Sequence, residues 1–536
     1  MKRFSAFFFL LSLLAGAFPA SAVVYVNCDC ALDGDGTTSS CASAAAGAGA
    51  KNAAVTTVAA STEYSYAKGS TCTLASTSIT VNQNAVTLST YGTGAKPIIV
   101  GNAASYALTV TTSNGFSVTG LDWRNGVTGA VNLSATTTGG TFSGNAINSS
   151  VIGLVISAAG ATNITGSGNT TTCTGSASIC WNIATNGGGI AFSDSPITLT
   201  ATDRSSTSLI GVRLSGTATV LNNIDVTGGN MGVEIRTTNG HTVKLGEYSG
   251  QLVAGVRIRD SQSNRVVFNS FHDIDDGKLY NVGQGNAIDM IDPGAPCASN
   301  MILGNDFHAV YQGIVDQCDN GTGGGNFILS NIGWDYSVDG ISYQAAVGFG
   351  YIAGNTLLHN PRSHVGHAIA IQHGSVITMT AEVANNTCVN LQVGDNIQCF
   401  SIPDSAHSGP IFVNNNNWYA GVTGAALAKL DTVSPACSAL SSPAWCQYYT
   451  LATWQTALQA DADTTGDESA SLSVIPGWVG GPTPSTKEGF KLNSNSGLIR
   501  HGLCYFGTGC AANDAGNRRV FVPPDIGAYQ RVVGDP

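Results

Sequence analysis

Charge is scarce in this chain. Asp, Glu, Lys and Arg together make up 10% of the 536 residues, and only 22 residues are basic. With a formal charge of −11 there is no basic footprint, which argues against a nucleic-acid surface. The strong helix formers Glu and Lys are few, while Gly, Thr, Ser, Asn and Val dominate, so strands are expected rather than a helical bundle. Long apolar runs are also missing. The one candidate, Phe7 to Ala17, is shorter than the roughly 20 residues a membrane helix needs. Lys2 and Arg3 precede it and Ala20-Ser21-Ala22 follows it, which predicts a secretory signal peptide over 1–22. The expected product is an exported monomer, extracellular or periplasmic, with no membrane span.

Fourteen cysteines in an exported chain predict disulfides. Close pairs suggest local staples: Cys173 with Cys180, Cys388 with Cys399, Cys437 with Cys446 and Cys504 with Cys510. Cys28, Cys30, Cys41 and Cys72 would clamp the N-terminal cap in a pairing left open. The spacing is a poor zinc pattern.

Five segments repeat a strand followed by an aligned asparagine. They read NRVVFNSFH, NMILGNDFH, NFILSNIGW, FGYIAGNTLLH and TAEVANNTC. Their asparagines are Asn269, Asn305, Asn331, Asn355 and Asn385 or Asn386. A period of roughly 20–50 residues marks a solenoid. An Asn at each bend can bond its own turn and the Asn of the next coil, satisfying buried polar groups at a corner. A second register runs through Gly-led strands at Gly211, Gly232, Gly255, Gly285, Gly313, Gly340 and Gly366. Alternation in GVRIR turns Val256 and Ile258 inward and Arg257 and Arg259 outward. Loops lengthen from residue 260, as they do on the binding face of a solenoid. The organisation read from this is an N-terminal cap and first coils over 23–100, repeats over 101–420, and a C-terminal cap over 421–536 with a short helix around Trp454. The cap covers sheet edges that an open solenoid would expose.

These features resemble the secreted right-handed parallel β-helix proteins of the pectate-lyase-like superfamily. YGTGAKPII, from Tyr91 to Ile99, resembles the segment that leads into their coils; the Asn ladder resembles their corner; TLATWQTALQADADTTGDESAS and DIGAYQ resemble their C-terminal segment. The resemblance implies an all-β, right-handed parallel β-helix. It leaves the reaction open, because the fold hosts lyases, hydrolases, epimerases and adhesins.

Charge placement points to a site. Eight Lys and Arg residues lie between 204 and 278 and none between 279 and 361, a window that holds Asp289, Asp292, Asp306, Asp316, Asp319, Asp335 and Asp339. AIDMID and IVDQCD align as xxDxxD, which predicts Asp289 over Asp316 and Asp292 over Asp319, about 4.8 Å apart. Carboxylates that close need a shared proton or a cation, and calcium is the natural ligand for oxygens outside the cell. The same Asp residues also suit plain turn roles, as in IDPG and CDNG. If Asp289 and Asp316 both point outward, Gln317 points in; a shifted register buries Asp316 instead.

Arg213, Arg236, Arg257 and Arg259 form the basic side, with Arg362 and His367 further on, and suit an acidic polysaccharide. His373 falls in the Asp292 and Asp319 column. Lys278 precedes Asp289; the resemblance implies a lysine base, as in several lyases of this fold. Gly366-HAIAIQH resembles the GHG segment of β-helix polygalacturonases, but their paired-Asp segment is absent at the expected distance. The leading expectation is a polysaccharide lyase acting by β-elimination, with Lys278, Asp289, Asp316 and His373 as catalytic candidates and Asp289, Asp292, Asp316 and Asp319 as calcium ligands. The alternatives are a glycoside hydrolase using an Asp pair and a non-catalytic adhesive β-helix.

Overall fold

The computed structural model describes residues 22–41, 55–496 and 498, apart from 112, 134–137, 158–159, 176–178, 201–208, 217, 275–284, 319–324, 345–346, 361–364, 372–377, 395, 403–410, 431–445 and 461–467. The signal-peptide segment, Lys278, Asp319, Arg362, His373 and DIGAYQ lie outside the described residues.

Three parallel sheets of 15, 15 and 14 strands run the length of the molecule, here named A, B and C. Each coil contributes one strand to each sheet in the order A, C, B. Arg265–Val267, Ser270–His272 and Asn286–Ile291 make one coil, and Met301–Leu303, Asp306–Val310 and Gln312–Gln317 the next. Among the described strands only Cys446–Tyr448 pairs antiparallel, against Ala426–Leu430. This is the all-β parallel β-helix expected from the repeats. The helix Leu451–Ala460 around Trp454 is present too. No described helix is long and apolar enough to cross a membrane.

Inward positions repeat every second residue, so each coil stacks like side chains on those of its neighbours. Tyr248, Phe271 and Phe307 form one such column inside sheet C, with Tyr248 and Phe271 stacked at 5.2 Å. Their rings need room from the facing strand of sheet B, and glycine provides it. A Cβ at Gly232 would lie 2.6 Å from Tyr248, at Gly255 2.4 Å from Phe271, and at Gly313 2.3 Å from Phe307. The glycine register is therefore a packing device. Gly285 and Gly366 do not belong to it. Ala287 and Ala368 occupy that column, two residues further on.

The asparagine ladder stands at the corner between sheets A and C. Asn269, Asn305, Asn331, Asn355, Asn386 and Asn416 are linked in sequence, each taking the backbone N–H and side-chain amide of the preceding rung on its own Oδ1 at 2.9–3.1 Å. Of the Asn385–Asn386 pair, the second is the rung; Asn385 precedes it with φ of 58°. Asn145 and Asn169 form an earlier stretch that sequence reading did not find. The ladder ends on the C-terminal segment. Asn416 gives its N–H to Ser471 and its amide to the buried Glu468, which also accepts from Trp418 Nε1 at 2.5 Å.

A second ladder, also unexpected, fills the corner between sheets B and A. His241, Asn264, Asn300 and Asn326 connect in the same way. Its last rung donates to both carboxylate oxygens of Asp316 at 3.1 and 3.0 Å.

Disulfides join Cys28–Cys72 and Cys30–Cys41, which settles the N-terminal pairing. Cys173–Cys180 and Cys388–Cys399 match the expected staples. Cys297–Cys318 pairs two cysteines left unassigned by spacing and ties neighbouring coils at the second ladder. The pairs Cys437 with Cys446 and Cys504 with Cys510 fall wholly or partly outside the described residues.

Candidate functional site

The outer face of sheet B collects most of the chemistry predicted from sequence. Period-2 alternation places three outward columns side by side along the helix axis.

The middle column alternates in charge. Arg213, Glu234, Arg257 and Asp289 are register partners in successive coils. Arg213 Nε donates to Glu234 at 2.7 Å. Arg257 holds Asp289 through Nε at 2.8 Å and Nη2 at 2.7 Å, with side chains 14% and 4% exposed. Opposite charges so close, and so far from water, neutralise one another. Asp289 is thereby committed to Arg257.

The Asp289–Asp316 stack does not form. Asp289 pairs with Val315, and Asp316 with Met290. The motif alignment was one residue out of register, and a one-residue slip moves a side chain to the other face. Asp316 points into the core, in a column with Ile258, Met290 and Tyr343. Burial pushes its carboxyl up to about 7, against the donation from Asn326 and the Cys318 N–H, and the nearby charge of Asp292 pushes the same way. Asp292 itself lies in the turn that follows the strand Asn286–Ile291. A calcium between Asp289 and Asp316 has no place to sit: one carboxylate is held by an arginine and the other is walled into the core. Among the described residues no three His, Cys, Asp or Glu side chains converge on a cation position. Asp319, the remaining proposed ligand, lies outside the described residues.

The second column carries Arg236 and Arg259 in adjacent coils, followed by Ile291, Gln317 and Gln344. Arg259 approaches Asp260 only at 3.5 Å. Arg236 has no carboxylate partner among the described residues. These two guanidinium groups stand together with little to neutralise them.

The third column is polar and was not recognised from sequence as a unit. Asn286, Gln312 and Asp339 lead to His367 and Gln398. Asp339 is held on all sides. Its Oδ1 accepts the His367 backbone N–H at 2.9 Å and His367 Nδ1 at 3.1 Å, and its Oδ2 accepts from Gln312 at 3.3 Å. Behind His367 lies the buried His359. Its Nε2 donates to the Gly366 carbonyl at 3.0 Å and its Nδ1 faces the Tyr336 hydroxyl at 2.9 Å. Burial and the neighbouring His367 push His359 down to about 3. The signal for this column was available: with Ala368 taken in place of a glycine, Asp339 and His367 fall into one register.

His272 and His308 sit elsewhere, on the outer face of sheet C. His308 stacks on His272 at 5.4 Å and on Trp334 at 4.5 Å. Phe490 and Trp478 of the C-terminal segment cover Trp334, and Lys487 clasps Asp306 at 2.8 Å. Their role is packing, as the ladder spacing suggested.

In fold the chain is a pectate-lyase-like parallel β-helix. No family model and no curated protein matches it. Among solved structures, pectate lyase Pel9A aligns over 95% of this chain and 96% of its own length at 14% identity, with a TM-score of 0.32. A GH136 lacto-N-biosidase from Eubacterium ramulus aligns over 76% of this chain and 65% of its own length at 12% identity, with a TM-score of 0.25. At these values neither likeness bears on the reaction.

Proposed function

We propose that the chain is an exported enzyme that cleaves an acidic polysaccharide by β-elimination, with the outer face of sheet B as its groove. The observation that carries this is the contrast between two adjacent columns. Arg213 and Arg257 are neutralised by Glu234 and Asp289, whereas Arg236 and Arg259 stand next to each other and face outward. Guanidinium groups in that state favour a carboxylate ligand, which they meet with forked, charge-assisted hydrogen bonds. A uronate carboxylate bound there loses charge, and its C5 proton becomes more acidic. The long connections 273–285, 292–300 and 360–364 border the same sheet, as expected of the binding side of a solenoid. Disulfides and the predicted signal peptide support export.

The hydrolase reading needs two carboxyl groups facing one bond. Asp289 and Asp316, which were to serve, point to opposite faces, so the lyase reading is preferred.

The test is a panel of uronate-containing polysaccharides. Cleavage that leaves unsaturated, ultraviolet-absorbing ends is expected. Arg236→Ala and Arg259→Ala should each raise KM about 10-fold or more, since a charge-assisted hydrogen bond contributes about 1.5–3 kcal/mol, while kcat changes little. New reducing ends without that absorbance would establish a hydrolase, and no product from any polymer would favour an adhesive protein.

A further inference from the structure

We infer that His367, oriented by Asp339, is the proton-transfer centre of the sheet B groove. This rests on the reading of that face as the substrate groove.

The argument starts from hydrogen-bond bookkeeping. A carboxylate oxygen can only accept, so the 3.1 Å contact between His367 Nδ1 and Asp339 Oδ1 places the ring proton on Nδ1. Nε2 of the neutral ring then carries a lone pair. Nε2 is buried and has no hydrogen-bond partner. Leaving a buried polar atom unpaired is costly, so each such atom in a folded protein asks for a reason. The same column holds another, Asn286 Oδ1, on a side chain that is 5% exposed. Two unsatisfied acceptors on one polar column, beside a basic pair, mark a surface shaped for a ligand rather than for packing. The His367 side chain retains 13% exposure.

The orientation of the ring is over-determined. Asp339 is fixed by the His367 backbone N–H and by Gln312, so its carboxylate cannot swing away. The backbone leading into His367 is fixed too. Gly366 has φ of 149°, and a Cβ there would lie 2.0 Å from the Val338 carbonyl. A carboxylate that holds imidazole in one tautomer, with the far nitrogen free, is the arrangement general-base catalysis requires.

For a bound uronate the step balances within the dyad and the sugar. The Nε2 lone pair takes the C5 proton, the C5–H electrons form the C4=C5 double bond, and the C4–O4 bond breaks. The departing O4 takes the proton back from the imidazolium, which restores neutral His367. Asp339 is a positioning residue that also stabilises the transient imidazolium. His359 lies behind the ring. Asp339 and His359 are the titratable groups named against His367 among the described residues.

The experiment uses the full mature chain. His367→Gln should lower kcat at least about 1000-fold with KM within about threefold. Asp339→Asn should lower kcat about 100-fold and move the acid limb of the pH profile to lower pH, because the charge that favours the imidazolium is gone. Circular dichroism and urea midpoints check that both variants fold. If wild type cleaves a polyuronate and His367→Gln keeps activity within threefold, the dyad is wrong and the lyase reading survives. If wild type cleaves nothing, that reading fails, and nitrogen-15 shifts of the His367 ring decide the dyad separately. An Nδ1–H tautomer in wild type that is lost in Asp339→Asn supports it; an Nε2–H tautomer in wild type overturns it.

Discussion

Asn331→Ala is expected to lower the unfolding free energy by about 3–5 kcal/mol. Asn331 donates to the Ile302 carbonyl at 3.1 Å and to Asn355 at 3.0 Å, and accepts from the backbone N–H and amide of Asn305. Truncation leaves the Asn305 N–H and the Ile302 carbonyl without partners inside the corner, where each costs about 1–3 kcal/mol. The neighbouring rungs keep their other bonds, so the loss is centred on one coil while the ladder on either side stays linked. In a solenoid, stability is a sum of coil and interface terms. The damage should therefore appear as reduced amide protection in the coils around 302–331 before it appears globally. Urea denaturation with hydrogen exchange checks this. Thr165→Ala, at an exposed position on sheet A, is the control and should change stability by less than about 0.5 kcal/mol. A loss below about 1 kcal/mol at Asn331 would mean that water replaces the amide and that the ladder does not hold the corner.

The second large effect is a pH dependence set by Asp316. Its folded pKa, about 7, lies above the 3.8 of a free Asp, chiefly because of burial. Between these values the native carboxyl keeps a proton that the unfolded chain has lost. Its contribution to stability is therefore complete below 3.8, falls as pH rises, and is gone above about 7. The slope is at most about 1.4 kcal/mol per pH unit. Glu468, raised in the same direction by burial, adds a slope of the same sign. Urea titrations from pH 4 to 8 should show stability falling with pH. Asp316→Asn should remove part of that slope and, at pH 8, be more stable than wild type by about 2–4 kcal/mol. Glu468→Gln should remove a further part. A wild-type slope that persists unchanged in Asp316→Asn would show that the carboxyl is not buried in solution.

The two carboxylates at ladder ends play different parts. Glu468 receives the last rung of the A–C ladder together with Trp418 and Trp454, and so docks the C-terminal segment onto the final coil. Asp316 receives Asn326 at the B–A ladder beside Cys297–Cys318. Neither acts at the surface. Both instead use a carboxyl to satisfy an amide that has no further coil to meet.

Much of the fold was legible because its signals are local and periodic. An Asn at every corner, a Gly opposite every large ring and alternation along GVRIR each follow from side-chain direction within one or two coils. The site was legible only in part. Outward placement of Arg257 and Arg259 needed alternation alone, and that held. Placing Asp289 against Asp316 needed the register between coils, and matching the xxDxxD motifs gave 27 residues where the strands pair at 26. Asp339 and His367 were passed over because Gly366 stood in for Ala368 as the marker of the column.

The sequence by itself therefore determined a β-solenoid, its ladder, its inward and outward faces and an uneven band of charge, since all of these depend on spacing along one chain. Only the tertiary structure decided which charges meet. Strand register is fixed by core packing, here by glycine against Tyr248, Phe271 and Phe307, and by corners whose loops differ in length from coil to coil. A single extra residue in such a loop exchanges the faces of a strand, so that Asp289 meets Arg257, Asp316 enters the core, and Asp339 turns His367 toward the groove.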